Sequence, residues 1–131
     1  MSAASQPWVE SAHRSLDAAE VLYQAQLWPQ TCFNAQQCVE LMFKAVIVST
    51  DVAPPRVHGI MDLFGRLGTP TQRALQPLAA ELRSLDLYYM PTRYPDAQPG
   101  ALPGGLPEEP EATAALDTAR AVVRIVEPLL P

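Results

Sequence analysis

Apolar side chains recur at steps of three and four along most of this sequence, the spacing that gathers them on one face of an α-helix. Trp8, Ala12, Leu16, Ala19, Tyr23 and Leu27 form the first stripe, widened by Leu22, with Glu10, Arg14, Asp17 and Gln24 mainly on the other side. Ser5-Gln6-Pro7 reads as its start, a capping hydroxyl and then a proline whose missing N–H costs nothing in the first turn. Trp28-Pro29 reads as its end, and Pro29 opens the next helix. There Phe33, Gln37, Glu40, Phe43 (or Lys44) and Ile47 keep the period, while Ala35, Val39, Leu41, Met42, Ala45, Val46 and Val48 add apolar surface over most of the circumference. A helix apolar nearly all round touches partners on several sides, so this one is predicted to be central. Its polar residues Gln36, Gln37, Glu40 and Lys44 are then partly buried, and each must meet a hydrogen-bond partner.

Asp51-Val52-Ala53-Pro54-Pro55 predicts a turn, and His58 to Leu67 a short helix with Ile60 or Met61, Leu63, Phe64 and Leu67 inward. Gly68-Thr69-Pro70 breaks the pattern, with Thr69 or Thr71 as the next cap. A fourth helix follows from about Thr71 to Tyr89 on the stripe Ala74 (or Leu75), Leu78, Leu82, Leu85 and Tyr89, with Pro77 placed to kink it or delay its start. Five prolines and three glycines between Pro91 and Pro107 exclude both helix and central strand, leaving a loop. Glu108-Glu109-Pro110-Glu111 sets carboxylates and a first-turn proline at the start of a last helix. Its inner face is Ala112, Ala115, Leu116, Ala119, Val122, Val123 and Val126, and Glu127-Pro128 ends it. The predicted fold is all-α: one domain over residues 1–131, an antiparallel up-and-down bundle of four long helices plus one short helix, with the proline-rich loop at 91–107.

Composition narrows the choice of partners. Hydrophobic residues make up 48% of the 131 and charged residues only 18%, so the surface is short of charge and a second copy of the chain is its simplest cover. The net charge of -5 is spread over both halves, which excludes broad electrostatic binding along a nucleic-acid backbone but leaves room for one phosphate or a short RNA near a local cluster. Lys44 is the only lysine, against eight arginines. Cys32 and Cys38 would lie on different faces of one helix and cannot pair. With no CxxC and two histidines, neither a metal nor another cofactor is expected. No signal-peptide pattern or membrane-length apolar run is present, and the cytoplasm is the expected location.

Candidate chemistry collects in two stretches. Thr92-Arg93-Tyr94-Pro95-Asp96 sets a fixed cation, a phenol, a rigid backbone and a carboxylate side by side where the fourth helix gives way to loop. Arg93 suits a phosphate through its planar fork, or a structural ion pair with Asp96 or Glu40. Tyr94 is placed to stack on a base or to pack on the bundle, and Asp96 to act as a general base or to cap the loop. The second stretch is the polar seam of the central helix. Glu40 and Lys44, four apart with the acid first, make an intrahelical salt bridge or share a site with Arg93, and Gln37 is a hydrogen-bond partner for the loop. His58 opens a helix and is available as a general acid or base, as a cap, or for a buried hydrogen bond. His13 falls on the exposed side of the first helix with no expected role.

On these elements the sequence resembles the HEPN domains. Gln36-Gln37-Cys38-Val39-Glu40 followed by Leu41-Met42-Phe43-Lys44-Ala45 is similar to their QQ-x-x-E-x-x-x-K-A helix, and His58-Gly59-Ile60-Met61-Asp62-Leu63 to their H-x-I-x-x-L third helix. Tyr88 to Asp96, ending in Arg93-Tyr94-Pro95-Asp96, resembles the Y…R-Y-P-D segment of one branch, and Ala115, Ala119 and Val122 fit the family's closing helix. The resemblance implies a helical homodimer that binds a nucleotide or RNA phosphate and acts with a nucleotidyltransferase partner in a toxin–antitoxin-like or stress system. It also implies a role for Tyr94 as an adenylyl acceptor, since a tyrosine near this motif takes that group in some members. Catalytic members are metal-independent ribonucleases with an Arg followed, four to six residues on, by a His. Here Gln98, Pro99 and Gly100 occupy those positions after Arg93, which argues against that chemistry unless Arg93, Asp96 or His58 makes an atypical site. A purely structural dimerisation module is the remaining alternative. The expected ligand-binding set is Arg93, Tyr94, Lys44, Gln37 and Glu40.

Overall fold

The computed structural model describes residues 1–89 and 105–131, and these form helices joined by turns, with no strand among them. The helices are α1 (Gln6–Gln24), α2 (Trp28–Val48), α3 (Ile60–Phe64), α4 (Thr69–Leu75), α5 (Ala79–Leu85) and α6 (Glu109–Val126). Short 3-10 turns follow α4, α5 and α6 at Gln76–Leu78, Asp86–Tyr88 and Glu127–Leu129. Arg93, Tyr94 and Asp96 lie outside the described residues.

α2 is the centre, as its sequence predicts. Thirteen of its 21 residues are buried, whereas α1 buries three of 19. α2 packs chiefly on α1 and α6 and also touches α3 and α5. Fully buried alanines at 12, 19, 35, 112 and 119 let helix backbones approach closely, and Met42, Phe43, Ile60, Leu63, Leu75, Leu82 and Leu85 fill the space between. Tyr23 and Trp28 meet edge to face at 5.3 Å across the α1–α2 turn, and the Tyr23 hydroxyl reaches Thr113 Oγ1 of α6 at 2.7 Å. The chain reverses between α1 and α2 through Gln26, whose φ of 61° is the left-handed conformation that a helix C-terminus favours.

Several local expectations give way to context. The Ser5 hydroxyl does not cap α1: it turns back to Ser2, within reach of the Ser2 hydroxyl at 2.9 Å and carbonyl at 3.2 Å, and Ser5 is fully buried. Neither Thr69 nor Thr71 caps α4, which starts at Thr69 behind Gly68. The fourth helix is divided rather than merely kinked. Pro77, without an N–H, sits in a 3-10 turn between α4 and α5. α3 is regular only from Ile60 to Phe64 and tightens into three-residue bonds that carry Leu67 into the core. His13, expected to be idle, lies 2.6 Å from Glu127 Oε1 and ties α1 to the turn after α6. The acidic start of α6 behaves as its sequence predicts: Glu108 and Glu111 form a reciprocal capping box, with the Glu108 N–H donating to Glu111 Oε1 at 2.8 Å.

Cys32 and Cys38 are free and buried, and burial pushes both thiols up to about 12. At neutral pH they are packing groups, not nucleophiles. No helix of the described residues is long and apolar enough to cross a membrane.

Candidate functional site

Gln36, Glu40 and Lys44 repeat every four residues, so one face of α2 carries all three. Because α2 is enclosed on most sides, this face is buried too: Glu40 is 4% exposed, Lys44 6% and Gln36 not at all. A carboxylate can be held there only if both oxygens are supplied with donors. Lys44 Nζ donates to Glu40 Oε2 at 2.8 Å, and the amides of Gln36 and Gln37 donate to Oε1 at 3.3 and 3.4 Å. His58 Nδ1 lies 3.0 Å from Oε2. A carboxylate opposite a lysine only accepts, so Nδ1 carries a proton and donates it. The Gln37 amide also donates to Gln36 Oε1 at 2.7 Å, and the Gln36 amide to the His58 carbonyl at 3.2 Å.

This hub fixes the turn before α3. The Asp86 carboxylate accepts the backbone N–H of Ile60 and, at 3.2 Å, that of Met61, capping α3 where Gly59 has no side chain to do so. The His58 ring is clamped by Glu40 on one edge and lies flat on Tyr89, with centroids 5.2 Å apart and an angle of 9°. Tyr89 in turn meets Phe33 of α2 at 6.1 Å and 34°. Half of the His58 side chain, 51%, remains exposed, although its carboxylate partner is buried. Among the described residues Nε2 has no hydrogen-bond partner.

Of the residues singled out in the sequence, the fold thus brings Gln37, Glu40, Lys44 and His58 together. Lys44 donates to Glu40 and has little exposed surface, and Gln37 is half-buried, so the group within the cluster most open to solvent is His58. His58 does not cap α3. Asp86 is an addition that sequence reasoning did not single out, and the partners of Gln36, expected only to be polar, are Glu40, Gln37 and the His58 carbonyl. Gln36 was visible as a polar residue on an enclosed helix, but nothing near Asp86 in the sequence points to Ile60.

Comparison with known proteins places this arrangement. The chain is similar to a protein of Methanocaldococcus jannaschii named "Putative toxin MJ1304", with 25% identity over 131 residues, covering 94% of this chain and 86% of that protein. Among solved structures it resembles TT1696 from Thermus thermophilus, with 28% identity, a TM-score of 0.76, and coverage of 95% of this chain and 96% of the other. It shares its fold with ST0689, an archaeal HEPN homologue, at 24% identity and a TM-score of 0.72 over 97% of this chain and 98% of the other. The model of the HEPN domain matches residues 5–129, nearly the whole bundle that carries the Glu40–His58 hub, and the chain belongs to that family.

Proposed function

We propose that this chain is a HEPN module that forms a homodimer, binds a nucleotide or RNA phosphate beside His58, and acts with a nucleotidyltransferase partner in a toxin–antitoxin-like system. The observation that carries the reading is the use of a buried, fully hydrogen-bonded carboxylate to hold one half-exposed imidazole at the surface. Burying Glu40 and Lys44 costs desolvation that an apolar pair would avoid, so what this arrangement adds is the position of His58. The relative named as a toxin supports the system-level part. Arg93 and Tyr94 lie a few residues beyond Tyr89 in sequence and are assigned to the phosphate and the base, with Gln37 at the margin. Glu40 and Lys44 act by holding the surface these groups share. Isothermal titration with AMP, ATP and a short RNA is expected to give saturable binding that weakens ~10-fold or more in Arg93→Ala, the loss of one charge-assisted contact. Heats at background for all three ligands would remove the ligand half of the proposal.

A second reading, a metal-independent ribonuclease with an atypical site, is favoured by the same clamp. With Nδ1 protonated toward Glu40, the neutral ring offers Nε2 as a base. Nε2 takes the proton of a ribose 2′-hydroxyl as that oxygen attacks the neighbouring phosphorus. The bond to the 5′ oxygen breaks, and the leaving oxygen takes a proton from water. RNA incubated with the purified protein then yields a cyclic phosphate end, and His58→Ala abolishes it. Intact RNA after prolonged incubation excludes this reading and leaves the binding module standing.

A further inference from the structure

We infer that the outer face of His58 is a stacking shelf for a nucleobase. This rests on the nucleotide-binding reading above and deepens it by naming where the base lies. Three rings from three parts of the chain step outward in order: Phe33 of α2, Tyr89 after the second 3-10 turn, and His58 before α3. The step from Phe33 to Tyr89 is 6.1 Å at 34°, and that from Tyr89 to His58 is 5.2 Å at 9°, so the column ends in two nearly parallel rings. One face of His58 is covered by Tyr89 and its Nδ1 edge by Glu40. Among the described residues, the opposite face and the Nε2 edge are the parts left to the exposed 51% of the side chain.

Such a surface selects a planar ligand. An aliphatic group gains most where it is enclosed on several sides, whereas a flat polarisable ring gains from one matching face. The shelf is also ordered before any ligand arrives. The His58 carbonyl is held by Gln36, the N–H groups of Ile60 and Met61 by Asp86, and the ring by Glu40, so binding freezes little that was free. Nε2 lies in the ring plane and so points beside a stacked base, not into it. That is where the attached sugar sits, and Nε2 is placed to hydrogen-bond with a ribose hydroxyl. Glu40 is a positioning residue here and touches no ligand.

The test compares AMP with ribose 5-phosphate, which keeps the sugar and phosphate but lacks the base, by calorimetric titration of the full chain. AMP is expected to bind about 5- to 100-fold more tightly, the range of a single base stack. His58→Ala is expected to lower that ratio several-fold, leaving only what Tyr94 contributes to the base, and His58→Phe to retain most of it. Because both variants take a donor from Glu40, the ring-proton resonances of His58 in the unaltered protein give a readout free of substitution. They shift upfield with AMP and not with ribose 5-phosphate. Equal affinity for the two ligands, or an AMP advantage that survives His58→Ala undiminished with no shift of the His58 signals, overturns the shelf alone. Binding of neither ligand overturns the nucleotide reading and the shelf with it.

Discussion

Glu40→Ala is expected to cost about 3–5 kcal/mol of folding stability, the cost of leaving a buried charge without its partner. The carboxylate accepts from four side chains, and its removal leaves Lys44 as an ammonium at 6% exposure with no acid beside it among the described residues. Gln36, fully buried, keeps only its bonds to Gln37 and to the His58 carbonyl. The comparison that isolates the charge is Glu40→Ala with and without Lys44→Met. Removing the ammonium as well restores part of the loss, so the double variant is more stable than the sum of the singles predicts. Urea unfolding of the four proteins measures this directly. A cost below about 1 kcal/mol for Glu40→Ala would mean that the pair behaves as a solvated surface salt bridge, contrary to its burial.

The second large effect is expected at Phe43, fully buried on the same helix one residue before Lys44. Phe43 meets Phe64 of α3 at 6.4 Å and 53°, so it joins the central helix to the element that follows His58. Phe43→Ala leaves a cavity that helices packed on several sides cannot close, for a loss of about 3–5 kcal/mol. For a chain of this size that lowers Tm by roughly 10–20 °C. Phe43→Leu, which keeps most of the volume, costs clearly less. Thermal unfolding followed by circular dichroism separates the two. Equal, small shifts for both would show that Phe43 does not fill the space between α2 and α3.

The sequence made α2 legible because a helix apolar nearly all round has no other place than the centre, and from that the burial of Gln36, Glu40 and Lys44 follows. The Glu40–Lys44 pair is legible for the same kind of reason, since both members are on one helix four residues apart. Contacts between elements were harder. Periodicity says which face of a helix is inward but not which other face it meets, so the bond from Glu40 to His58, 18 residues on, and that from Asp86 to Ile60, 26 residues back, had no signal in spacing. Ser5 shows the opposite failure. Its local pattern is a good cap, yet the hydroxyl turns to Ser2 once the segment is buried. Pro77 marked a disturbance in the fourth helix, but a kink and a full break differ in packing energy that the sequence does not print.

The burial of Lys44 has a consequence for how this protein meets the enzymes around it. It is the only lysine in the sequence, and its ammonium is held against Glu40 inside the bundle. The native fold therefore offers no lysine side chain for acetylation, for attachment of a protein tag, or for amine-reactive crosslinkers. Modification at Lys44 would mark molecules that have already opened, and would keep them open, since an acylated lysine cannot return to its carboxylate as a cation. The cationic surface is left to arginines, whose charge no acylation reaches.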